Sequence, residues 1–133
     1  MRPAKALSKK IEMYKVESNK SRNLLRISFS KRVEPDEAKV CVEKVKVHLT
    51  ELKPGFRLLT DLSALESMHV GCVPHLEDSM NACNKSGVST VVRVIPDPKK
   101  DIGFNILSLF HYRRRIRIVT CETLAEAMKI LDE

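Results

Sequence analysis

Apolar and polar residues alternate through IEMYKVES (11–18) and again through LLRISFSKRV (24–33), with the polar stretch NKSRN between them, and this period of two broken by a turn predicts a β-hairpin. The rhythm then becomes helical. Ala38, Val42, Val45 and Leu49 recur at spacings of four, three and four behind Pro35, Asp36 and Glu37, which suit a first helical turn, and KPG at 53–55 stops the pattern. FRLLTDL is a short apolar run that fits a strand buried on both faces and ending near Asp61. A second helix is predicted from about Pro74, with Val73, Leu76, Met80 and Cys83 on one side and Ser86-Gly87 closing it. STVVRVI reads as a strand, and PDPKKD as a connector. Asp101 suits the N-cap of a third helix that turns Ile102, Ile106, Leu107 and Phe110 inward. RIRIVT predicts another internal strand, and Thr123 and Glu126 have capping-box spacing for a last helix buried through Leu124, Ala127 and Leu131.

The predicted order is β-β-α-β-α-β-α-β-α. Strands alternating with helices imply an α/β fold with a mostly parallel sheet flanked by four helices, to which the opening hairpin adds an antiparallel strand. With 133 residues, 43% of them hydrophobic and 31% charged, one domain over 11–133 behind a leader of residues 1–10 accounts for the chain. The leader begins with positive charge, yet no apolar core of signal-peptide length follows it. The longest apolar-rich run, IGFNILSLF, is under half a bilayer span, so a cytoplasmic protein without a membrane span is expected.

The net charge of +7 changes the picture less than its distribution does. Residues 1–32 hold ten Lys/Arg against two Glu, whereas residues 33–133 hold 14 basic and 15 acidic side chains. A basic leader on a neutral body is a weak nucleic-acid footprint, because counterion release needs many cations on phosphates together. Two Tyr and four Phe offer few stacking platforms, and nucleic acid is disfavoured as a partner. Cys41, Cys72, Cys83 and Cys121 lie 31, 11 and 38 positions apart, without the close pairs a zinc site needs, and read as structural thiols. Neither a metal nor a cofactor is expected.

The element order, the triplet Asp61-Leu62-Ser63 and the ending TCETLAEAMKIL together resemble the STAS domain of the SpoIIAA-like, anti-sigma-factor antagonist family. The resemblance covers the chain from about residue 11. In that family a strand ending in a DLS-like triplet leads to a loop, and a phosphorylatable serine opens the next helix in a pattern close to Asp-Ser-Ser-Gly. Here that pattern falls near His69, Val70, Gly71 and Cys72, and no serine stands there; Ser63 and Ser67 are the nearest hydroxyls. The resemblance implies a non-enzymatic regulatory interaction module. Its partner would be another protein, a kinase-like anti-sigma factor or other signalling component, with room for a homodimer.

The residues admit other chemistry. His69, Cys72 and His75 put a thiol between imidazoles at a helix start, where a lowered thiol pKa would make a nucleophile. Packing is the preferred reading. Asp61 at a strand end either caps local backbone N–H groups or meets a partner. Met68, Val70 and Val73 are either core or the apolar centre of a partner surface rimmed by Asp61, Ser63 and Ser67. HYRRRIRI (111–118) is the sharpest charge feature of the body: Arg113, Arg114 and Arg115 offset carbonyls at a helix end or, with the leader, bind an anion or nucleic acid. A small apolar-ligand carrier is a further alternative. The surface expected to act is the segment from Asp61 to Pro74, read as a loop and a helix start.

Overall fold

The amino-terminal alternation builds a hairpin in which β1 (Tyr14–Asn19) pairs antiparallel with β2 (Leu24–Val33), Tyr14 opposite Phe29 and Asn19 opposite Leu24. Asn23 closes the turn at φ 51°, a left-handed conformation that Asn tolerates better than most residues. The computed structural model describes residues 13–100, 103, 107, 111–113 and 115–132. The basic leader lies outside the described residues.

Helix α1 (Pro35–Leu49) starts at the proline and buries Ala38, Cys41, Val42, Val45 and Leu49, the stripe its spacing predicts. Glu37 Oε1 accepts the backbone N–H of Glu34 at 3.0 Å, which satisfies a donor that helix geometry leaves orphaned. The chain continues through β3 (Arg57–Met68), a 3-10 turn at Val70–Cys72, α2 (Val73–Lys85), β4 (Thr90–Val94), a second 3-10 turn at Pro98–Lys100, β5 (Arg117–Cys121) and α3 (Leu124–Leu131). The sheet order is β1-β2-β3-β4-β5, and every pairing after the hairpin is parallel. The third predicted helix, with Asp101, Ile102, Ile106 and Phe110, falls outside the described residues; Leu107 is partly buried against the larger core.

That core lies between one sheet face and α1 and α2, where Leu25, Ile27, Leu58, Leu62 and Val91 meet Cys41, Val45, Leu76 and Cys83. Each fully buried aliphatic side chain contributes about 1.5–3 kcal/mol. The second core is smaller: Leu24, Leu59, Val92, Val94 and Cys121 pack under Ala127 and Leu131 of α3. Thr123 Oγ1 accepts the backbone N–H of Glu126 at 3.2 Å and starts α3. At its other end Arg57 Nη1 donates to the Leu131 carbonyl, and Arg22 Nη2 lies 2.6 Å from Asp132 Oδ1, so two guanidinium groups stand at the negative end of the helix dipole.

Two expectations need correction. β5 is an edge strand rather than an internal one, which is why Arg117 and Thr120 are exposed. β3 does not end near Asp61. It runs twelve residues to Met68, so Asp61 to Met68 is strand where a loop was expected.

Candidate functional site

The extra length of β3 comes from β2, whose ten residues offer a pairing edge well beyond the end of β4. Asp61 pairs with Val94, the last residue of β4, while the β2 ladder continues through Ala64, Leu65 and Ser67 to Met68 opposite Val33. Between Ser28/Ser30 and again between Lys31/Arg32 the register shifts, and β3 carries one residue more than β2 each time. The first of these bulges puts Leu62 and Leu65, three positions apart, into the same core. Strict alternation would have sent them to opposite faces. The result is a two-stranded rim projecting past the carboxyl edge of β4.

The predicted site residues divide into two groups on this rim. Asp61 is 7% exposed and shares the sheet face of Leu59. Its Oδ2 is 3.2 Å from Arg26 Nη2, and its Oδ1 accepts the Ser63 backbone N–H at 3.0 Å and the Ser63 hydroxyl. Asp61 is therefore a local cap and ion-pair partner, and the Ser63 hydroxyl is engaged with it. The second group lies at the rim's tip. Ser67, His69 and Val70 are exposed, Met68 and Gly71 are half-buried, and Cys72 is buried.

The tip is pinned from three sides. The His69 backbone N–H donates to the Val33 carbonyl at 3.0 Å, the His69 imidazole Nδ1 accepts the Gly71 backbone N–H at 2.8 Å, and the Cys72 thiol approaches the Val33 carbonyl at 3.6 Å. A Cβ on Gly71 would meet Pro35 Cγ at 2.9 Å and His69 Nδ1 at 3.0 Å, so only glycine lets this turn seat on the start of α1. At its crest Val70 is 74% exposed.

Burial, then the charges of Glu34 and Glu37, push the Cys72 thiol up, opposite to what a nucleophile needs. His69 spends its acceptor nitrogen on Gly71, and the Cys72 sulfur is sealed inside; the structure builds no thiol–imidazole pair from them. Among the described residues no group of three or more His, Cys, Asp or Glu is placed to hold a metal. The cavity between the sheet and α1–α2, with Phe29, Val42, Met80 and Tyr112 in its walls, measures about 30 Å3, room for one or two waters and not for a lipid-like tail. Arg113 and Arg115 are exposed, and Arg114 lies outside the described residues. No described helix is long and apolar enough to cross a membrane.

Sequence reasoning missed Lys31 and Arg32. Both are exposed and pair with Leu65 and Ser67, which places two cations beside the tip, and Lys31 adopts φ 54° where the register slips. A Lys-Arg pair at a strand end gives no signal in the sequence, because its position depends on bulges in the neighbouring strand.

No family model matches the sequence, and no curated protein matches it. Solved structures do. An uncharacterized DUF3478-family protein with a SpoIIAA-like fold from Shewanella loihica superposes with a TM-score of 0.69 at 10% identity, over 92% of this chain and 96% of that one. The anti-sigma factor antagonist SpoIIAA in its unphosphorylated form gives 0.63 at 12% identity over 90% and 97%, and an anti-sigma factor antagonist from Mycobacterium paratuberculosis gives 0.58 at 17% over 93% and 98%. Strand order, the antiparallel first strand and these full-length superpositions agree that the chain has the STAS-type, SpoIIAA-like α/β fold.

Proposed function

We propose that this protein is a non-enzymatic regulatory module that binds another protein through the rim tip, Ser67 to Gly71, and the start of α2. The observation that carries the reading is Val70: a large aliphatic side chain held in solvent at the crest of a turn that three backbone contacts and a close glycine approach keep in place. An exposed apolar centre with Ser67, His69, Lys31 and Arg32 around it has the make-up of an interface. The fold likeness to anti-sigma factor antagonists supports a signalling component as the partner and a cytoplasmic setting.

The chain differs from a serine-gated relative in one physical respect. Its tip carries an imidazole cap and a valine at the helix start where a hydroxyl would accept phosphate, so one apolar crest is presented without any modification. The test is affinity capture from cell extract with wild type and with Val70→Asp, both confirmed folded. The variant should lose one or more partners that wild type retains, and equal recovery of every captured protein would remove the rim from consideration.

A further inference from the structure

The opposite end of α2 carries a second surface that the rim reading does not use. α1 and α2 run side by side, with Gly71 against Pro35 at their starts and Leu49 and Thr50 near Ala82 and Ser86 at their ends. Thirteen residues of helix separate the two ends by about 18 Å. At the far end, a basin of about 410 Å3 opens among Lys46, Asp78, Asn81, Lys85 and Arg113, and a second of about 250 Å3 shares Lys46 and Lys85 and reaches Thr50. The two form one groove. Lys46 is held by Asp78 Oδ2 at 3.0 Å and Glu43 Oε2 at 3.7 Å, whereas the Lys85 and Arg113 side chains form no ion pair among the described residues. Two exposed cations from different parts of the chain thus face one concavity, neither of them paired with a described carboxylate.

We propose that this groove is a second docking surface that takes an acidic, carboxylate-bearing segment of a protein partner, with Lys85 and Arg113 as its charge contacts. Two features select that chemistry. Among the described residues no aromatic ring lines the groove for a nucleic-acid base to stack on. Leu49 and Ala82 line it beside the cations and offer apolar contact to a peptide that a sugar-phosphate chain would not use. The domain would then join a partner at the rim to an acidic partner at the other end of α2.

A fluorescein-labelled hexaglutamate peptide titrated with the full chain and followed by anisotropy tests this. Wild type should bind saturably and more weakly as salt rises. Lys85→Glu/Arg113→Glu should bind about tenfold more weakly, since two exposed ion pairs are worth a few-fold each. Asp78→Asn, which releases Lys46 and removes the competing carboxylate, should bind more tightly. Lys20→Glu/Lys129→Glu changes net charge equally at other exposed positions and should leave binding unaltered, as should Val70→Asp, which separates this surface from the rim. Absence of saturable binding, equal weakening in the control pair, or tighter binding of a single-stranded oligonucleotide of matched charge would each overturn the proposal.

Discussion

Replacing Asp61 with alanine separates a buried cap from a partner contact, and the structure sets the size of the effect. The carboxylate takes two hydrogen bonds from Ser63 and one charged contact from Arg26 while only 7% exposed. Its removal takes the acceptor from the Ser63 backbone N–H, and because Ser63 is exposed water replaces it in part, so the loss is about 0.5–1.5 kcal/mol. The Arg26 guanidinium loses its counterion, but that side chain is 35% exposed and reaches water, so the pair adds only about 1 kcal/mol rather than the loss expected for a sealed one. Asp61→Ala should therefore destabilise by about 1.5–2.5 kcal/mol, roughly 6–10 °C in melting temperature for a chain of this length. Asp61→Asn keeps an acceptor for Ser63 and should cost less than half as much. Urea unfolding followed by circular dichroism measures both, and a double-mutant cycle with Arg26→Met should give a coupling of about 1 kcal/mol. If Asp61→Ala melts within about 0.5 kcal/mol of wild type and still loses partner binding, the carboxylate is a contact and the capping argument is wrong.

Other expectations follow from burial and charge. Leu65→Ala should cost about 2–4 kcal/mol by urea titration, as a core position does, whereas an exposed loop position would cost almost nothing. Burial pushes Cys41 and Cys83 from 9.0 up to about 12, with Lys44 opposing weakly at Cys41. Unfolding frees both thiols to ionise from about pH 9, so their contribution is complete below pH 9 and is lost as pH rises toward 12, on the order of 1 kcal/mol per pH unit for each. A pH series of urea melts should show that decline, with a shallower slope in Cys41→Ala/Cys83→Ala. Thiol reagent at neutral pH should modify native Cys72 far more slowly than the unfolded chain, and rapid stoichiometric labelling would contradict its burial.

Most of the architecture was legible because period and punctuation agreed. Tyr14 to Val33, Pro35 to Leu49 and Thr123 to Leu131 each carry one rhythm and a local stop or cap, and each forms the predicted element. The errors sit where the deciding partner is distant in sequence. ALESM resembles a loop because Leu62 and Leu65 obey no strand period, and the bulge that reconciles them exists only in the ladder with β2, about 35 positions earlier. RIRIVT has interior composition, yet an edge position is fixed by strand order, which alternation along a single strand does not encode. The candidate site shows the same division. A polar cluster with apolar residues was visible between Asp61 and Cys72. That Asp61 and Cys72 are turned inward, that Val70 is turned outward, and that Lys31 and Arg32 join the tip all depend on tertiary register.

Gly71 gives the sharpest test of whether the rim works as a shaped surface rather than as a flexible stretch carrying a valine. A methyl there would lie 2.9 Å from Pro35 Cγ and 3.0 Å from His69 Nδ1, against a ring that cannot swing aside and an imidazole already committed to the Gly71 N–H. Gly71→Ala removes no exposed group, yet it must lift the turn off α1 at a cost of about 1–3 kcal/mol of overpacking. If binding needs Val70 in its observed place, the variant loses partner recovery nearly as Val70→Asp does. Pro35→Ala deletes the atom in the way, so the double variant should recover part of both stability and binding, with a favourable coupling of about 1 kcal/mol. Strictly additive effects would mean that the contact between the turn and α1 does not set the rim's shape. Full binding by Gly71→Ala despite its lowered stability would mean that the partner recognises a mobile segment.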